Sequence, residues 1–348
     1  MNNIHTGYID SDPENYYHDH CLRANKSDTL MLWIPGYHDY FKHKHIFEYM
    51  PVFRHVDILP LYYGKWNIHK SVAYDADNIS DYIEALDEIL FHLPFENYKK
   101  IILYGHSMGG TIAIHYAHRG RYRNKVNMLM LNDPLIKWYT DHFILDNVHF
   151  HPLSWNLDGY YLSFNKNAIL KTWPYSYAVK MTNKCGYINP KIPNTPVLLY
   201  AGHVHCFSTA MNYIQQSDKA LLNNRRTLIL LSGGVENNPK GLCRLSDVYH
   251  YSNRISNNVT FLEISTAFHD VFFPKNTNEF AKLNDTIETF IFHPPSETEL
   301  IPEKTVTLHS LNGTILWFAT TVMYVFTVVL LWLVWRTFRW LYKLLYKH

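Results

Sequence analysis

Short apolar runs alternate with helical spacing along most of the chain. Thr29 to Ile34 reads as a strand closed by Pro35-Gly36, and Val56 to Leu61 reads as a second. A short helix is predicted over 45–53. From Asn78 to Phe91, Ile79, Tyr82, Ile83, Leu86, Ile89 and Leu90 fall on one side of a helix. Lys99 to Tyr104 is a further strand, followed by a helix from about Met108 through Ala117, and Val126 to Leu131 is another strand. Strands alternating with helices predict an α/β fold with a mostly parallel, doubly wound sheet.

The alternation breaks over about 135–195. Aromatic residues such as Trp138, Phe150, Trp155, Tyr160 and Trp173 crowd this stretch with little periodicity. It reads as a cap inserted over the carboxyl edge of the sheet, with apolar walls suited to a ligand. Order returns with a strand over Pro196–Ala201, a helix over about 208–222, and a strand over Arg226–Ser232. A short helix near Asp247, a last strand over Asn258–Ile264 and a closing helix over 277–292 follow.

The ends of the chain differ in polarity. Residues 1–28 form a polar lead without the apolar run of a signal peptide. Residues 293–312 are rich in proline and charge and read as a linker. Ile315 to Trp335 is almost wholly apolar, and 313–335 is long enough for a transmembrane helix, which needs about 20 residues. Trp317, Trp332, Trp335 and Trp340 resemble interfacial anchors, and a basic tail over 336–348 ends the chain. These features predict a membrane protein with a single pass near its C-terminus. Without a leader, the catalytic domain is expected in the cytosol. The basic flank after the span pulls the other way, because such flanks prefer the cytoplasmic side.

Composition adds bounds. The 348 residues suit one large domain, over 29–292, with an appendage. Hydrophobic residues make up 47 %, enough for a sizeable core. A net charge of +2, with no basic stripe visible outside the extreme C-terminus, gives no reason to expect a nucleic-acid partner. The four cysteines lack metal spacing, and His203-Val204-His205-Cys206 has no third ligand at matching distance, so neither a metal nor another cofactor is expected.

The candidate chemistry centres on Gly105-His106-Ser107-Met108-Gly109, set between an apolar strand and a helix. This context defines a nucleophile elbow, in which a sharp turn exposes one serine hydroxyl. Glycines at 105 and 109 let the strand and helix backbones approach. A serine hydroxyl needs a base, and the base needs an acid to hold its tautomer. His269, after the last strand, is the candidate base. For the acid, two strands compete as the strand before last. If it is 196–201, the common Gly-x-x-Asp spacing ends on His205, which cannot serve. If it is 226–232, Asp247 follows it with the right topology. Asp133, at the end of 126–131, is the alternative acid; Asp270 reads as structural. The backbone amides of Met108, at the helix start, and Tyr37, after the first strand, are the candidate oxyanion donors.

Several stretches then resemble one family: Gly36-Tyr37-His38-Asp39, Leu59-Pro60-Leu61, the elbow, Leu131-Asn132-Asp133-Pro134, Ser246-Asp247-Val248 and His269-Asp270-Val271-Phe272. In this order they are similar to the α/β-hydrolases grouped with serine aminopeptidases, monoacylglycerol lipases and lysophospholipases, over about 29–292. The resemblance implies an α/β-hydrolase fold with Ser107 as nucleophile, His269 as base, and Tyr37 and Met108 as oxyanion donors. The chain departs from the family in lacking an acid at 205, which favours Asp247. The expectation is a membrane-anchored serine hydrolase cleaving lipid-like carboxylic esters, with a lipid or small ester as substrate. Acyl transfer to an alcohol by the same triad, and a catalytically silent binding protein, are the rival readings.

Overall fold

A computed structural model describes residues 27–37, 43, 45–61, 78–137, 169–173, 197–233 and 245–293. Six parallel strands form the main sheet: β1 (Thr29–Ile34), β2 (Asp57–Pro60), β3 (Lys100–His106), β4 (Met128–Asn132), β7 (Arg226–Ser232) and β8 (Val259–Ile264), in the order β2-β1-β3-β4-β7-β8. Each central strand is apolar on both sides, as a parallel sheet covered by helices requires. Leu30, Leu32 and Ile34 of β1 face one core layer, with Leu103, Leu131 and Ile229. Met31 and Trp33 face the other, with Ile102, Tyr104, Met130 and Leu228. This is the two-residue period of a strand, read on two buried faces.

Helices fill both layers. The first layer takes α2 (Ile79–Phe91), α3 (Met108–Arg119), α4 (Ala201–Gln215) and α5 (Leu245–Ile255). The second takes α1 (Ile46–Tyr49), the short 3-10 helix Pro51–His55, and α6 (Glu279–Phe292). The start of α2 is fixed locally. Asn78 accepts a hydrogen bond from the Ser80 amide at 2.6 Å, and Asp81 accepts one from the Asn78 amide at 3.0 Å. Both satisfy donors that a first helical turn leaves over.

Three expectations change. The apolar run at 197–200 is a strand, β6 (Val197–Tyr200), but it lies outside the main sheet. It pairs antiparallel with β5 (Ile169–Trp173) in a separate two-stranded ribbon. The helix expected over 208–222 starts at Ala201 and ends at Gln215. Between β8 and α6 the chain makes a small hairpin of β9 (Ala267–Phe268) and β10 (Asp270–Pro274), with His269 between its strands. Most of the segment expected as a cap lies outside the described residues. So does the apolar stretch 313–335; among the described residues no helix is long and apolar enough to cross a membrane.

Candidate active site

The elbow forms because β3 leads directly into α3 with one residue between them. Ser107 takes φ 53° and ψ −122°, a backbone strained for any residue with a Cβ. Hydrogen bonds hold it there. Its amide donates to the Asn132 carbonyl at 3.0 Å, and its carbonyl accepts from the Gly110 and Leu135 amides, each at 2.9 Å. The strain is therefore carried by β4 and its exit loop as well as by the elbow.

His269 supplies the partner. Its Nε2 lies 2.9 Å from Ser107 Oγ, and both residues are buried. His269 itself has φ 29°, and Asp133 has φ 43°. Among the described residues only four non-glycine positions have positive φ, and three of them meet here. Strain collected at one place, on three separate strand ends, marks a site held for geometry rather than for stability.

Further bonds set the position of His269. His106 Nε2 donates to the His269 carbonyl at 2.6 Å. The next residue, Asp270, is anchored from three directions. Asn132 Nδ2 donates to Oδ1 at 2.8 Å, the Phe272 amide donates to Oδ1 at 3.1 Å, and His43 Nε2 lies 2.8 Å from Oδ2. The Asn132 amide group also reaches the Tyr104 hydroxyl at 2.7 Å and accepts from the Val271 amide at 3.2 Å. Asp270 is thus structural, as its sequence position suggested. The parts played by His43, Asn132 and His106 had no motif to reveal them.

The carboxylates fall in different places. Asp247 lies in the first turn of α5, where its Oδ1 is 3.0 Å from Lys137 Nζ; it makes no hydrogen bond to His269. Asp133 is fully buried beside the elbow. It accepts from the Ser232 amide at 2.8 Å and from the Ser232 hydroxyl at 2.5 Å. Burial pushes its carboxyl up to about 6, against the pull of the Ser232 hydrogen bonds. The topology also decides which strand is the one before last: it is β7, between β4 and β8. Counted from Gly233 after β7, the Gly-x-x-acid spacing ends on Glu236, which lies outside the described residues.

The loop after β1 comes against the elbow. A Cβ built on Gly36 would stand 3.2 Å from Ser107 Cβ and 3.0 Å from His106 Nδ1. Tyr37, the expected donor, is the next residue, and its hydroxyl lies 3.0 Å from His203 Nδ1 on α4. Met108 opens α3, so its amide belongs to the first turn, whose N–H groups have no partner within the helix. Gly109 is the tightest contact of this assembly. A Cβ there would meet the Pro35 carbonyl and stand 2.6 Å from the Ile34 carbonyl oxygen. Gly109→Ala is therefore expected to push the β1 loop off the elbow, at about 1–3 kcal/mol in stability. Turnover should fall further than that loss explains, because the candidate oxyanion amides of Tyr37 and Met108 separate. Thermal melting and ester turnover on the same sample check this; unchanged turnover would show that the contact is not needed.

Among the described residues no group of three or more His, Cys, Asp or Glu could hold a metal ion. His203, on the stretch weighed for that role, is buried and faces Tyr37.

The sequence matches the family described as the alpha/beta hydrolase fold over residues 60–275. The chain belongs to that family. Its fold is similar to that of monoglyceride lipase from Saccharomyces cerevisiae, solved as a soluble variant with a substrate analogue. Identity is 13 %, TM-score 0.54, and the match covers 75 % of this chain and 86 % of that one. It is also similar to monoacylglycerol lipase from Paleococcus ferrophilus, with 14 % identity and a TM-score of 0.48 over 76 % of this chain and 95 % of that one. At 13 % identity the likeness to the Saccharomyces cerevisiae protein speaks for the fold alone. No curated protein matches the sequence.

Proposed function

We propose that the chain is a serine hydrolase that cleaves carboxylic esters through an acyl-enzyme. The observation that carries this reading is the 2.9 Å separation of Ser107 Oγ and His269 Nε2 at a strained elbow. Ser107 Oγ attacks the ester carbonyl carbon while His269 Nε2 takes its proton. The amides of Met108 and Tyr37 receive the negative oxygen of the tetrahedral intermediate. The intermediate collapses, and His269 returns the proton to the departing alcohol oxygen. Water then repeats the sequence on the acyl-enzyme, giving the carboxylic acid and free Ser107.

The orienting carboxylate comes from the segment after β7. Of the acids there, Glu236 has the Gly-x-x-acid spacing from Gly233, whereas Asp247 is paired with Lys137. Glu236→Gln is expected to lower kcat by about 10⁴-fold, as loss of the tautomer-setting acid does elsewhere. Asp247→Asn and Asp133→Asn should retain most of the activity. Loss on Asp247→Asn with Glu236→Gln unaffected would return the acid to Asp247.

The acyl group is lipid-like, and the protein is anchored in a membrane by 313–335. The aromatic-rich segment between β4 and β5 supports the first statement, and the apolar run near the C-terminus supports the second. Hydrolysis rates across a panel of monoacylglycerols, lysophospholipids and short-chain esters test them. Equal rates at all chain lengths would remove the lipid assignment and leave the hydrolase. Release of an acyl ester in place of free acid would reassign the site to acyl transfer.

A further inference from the structure

The end of the sheet opposite Ser107 gathers positive charge from segments far apart in sequence. Arg119 ends α3, Arg121, Arg123 and Lys125 follow it, and all four are exposed. Lys219, exposed, and Arg225, half-buried, lie on the connection from α4 to β7. Hydrogen bonds join the two stretches. Arg225 Nη1 donates to the Ala117 carbonyl at 3.1 Å, and His118 Nδ1 donates to the Leu221 carbonyl at 3.0 Å. Burial first, and then the charge of Arg123, draw the Arg225 guanidinium down.

Among the described residues none of these six side chains makes an ion pair. Lys99 with Asp28 and Lys137 with Asp247 do, so pairing is found elsewhere on the described surface. Nearby carboxylates offset only part of this charge: Asp87 accepts at Oδ1 from the Tyr116 hydroxyl, at 2.7 Å, and from the Arg121 amide, at 2.9 Å, and Glu96 is exposed in the turn that packs on Tyr122. Asp218 is exposed and has no ion-pair partner among the described residues. Unpaired cations side by side repel, so the cluster costs stability and calls for an anionic partner.

The course of the chain says which partner. Helix α6 ends at this same end of the sheet: Lys100 Nζ donates to the Ile291 carbonyl at 3.1 Å, and the Arg226 guanidinium lies 4.9 Å from the Phe290 ring. The chain therefore leaves the domain beside the cluster and continues towards the apolar stretch 313–335. The intervening residues 293–312 could reach roughly 60 Å if extended, so they do not dictate which way the domain turns. Charge can.

We propose that this basic end is a docking surface for an anionic lipid membrane. It rests on the anchored-hydrolase reading only for the membrane's proximity. Each cation near an anionic bilayer adds to the attraction, and salt screens it. Docking holds the N-terminal ends of the strands on the lipid and leaves the Ser107 end facing water.

The test uses the full chain, reconstituted in phosphatidylcholine vesicles with and without phosphatidylserine. Amide hydrogen exchange over 119–126 and 219–226 is expected to slow at least about tenfold when phosphatidylserine is present. The slowing should vanish at high salt and in the R119E/R121E/R123E variant. That variant should keep its ester turnover in detergent, which shows that it folds. Equal exchange on both vesicles overturns the proposal, as does slowing by RNA or heparin without any by phosphatidylserine. Flotation with neutral vesicles tests the anchor separately. A chain that floats there but shows no phosphatidylserine effect keeps its anchor and loses the docking surface. A chain that floats only with phosphatidylserine, in a salt-dependent way, keeps the docking surface and loses the anchor.

Discussion

Ser107→Ala is expected to leave the fold intact and to lower ester hydrolysis by at least about 10⁴-fold. The residue is buried, but it contributes little packing beyond its backbone: the bonds that hold the elbow run through its amide and carbonyl, and alanine keeps both. Alanine does inherit φ 53°, so the strain remains and the melting temperature should change little. What disappears is the nucleophile, together with the one hydrogen bond that His269 Nε2 makes to it at 2.9 Å. A fluorophosphonate probe reads the same event covalently. It should label the native chain at Ser107 and leave the alanine variant unlabelled. Full esterase activity in the variant would end the proposal. A native chain that neither hydrolyses esters nor takes the probe would support a silent binding protein on this fold.

The elbow could be read from sequence because its physics is local. Glycine at 109 is demanded by the Ile34 and Pro35 carbonyls, and the strand before it and the helix after it are plain in the apolar pattern. The placement of His269, the candidate base, beside Ser107 could be read because chain order puts a base after the last strand. The acid was harder for a physical reason. Val197–Tyr200 and Arg226–Ser232 are both short apolar runs, and periodicity does not say which one joins the parallel sheet. Only the pairing of β7 with β4 and β8, and of β6 with β5, separates them. Once β7 is placed, the acid spacing moves to Glu236. The basic end was hidden in the same way, since residues 119–125 and 219–225 become one surface only when β4 and β7 lie side by side.

The supports of His269 were the least legible, because they join loop residues separated by most of the chain. They give the largest expected effect on stability. Asp270 is buried and receives Asn132 Nδ2, the Phe272 amide and His43 Nε2. His43 and Asn132 are buried as well, and His43 packs against Trp33, with ring centroids 4.8 Å apart. Asp270→Ala removes the acceptor and leaves water no easy way in. Each buried donor left without its acceptor costs about 1–3 kcal/mol, and the alanine leaves three. Asp270→Asn keeps one oxygen for Asn132 and Phe272 and should cost about 1–2 kcal/mol. Both changes also free the turn that holds His269 at φ 29°. The asparagine variant should therefore lose kcat while KM stays near the native value, since the change displaces the turn that carries His269. Urea unfolding and steady-state kinetics on the two variants measure this. If Asp270→Ala stays within about 0.5 kcal/mol of the native chain, as an ordinary surface change would, the buried network is not what holds the catalytic turn.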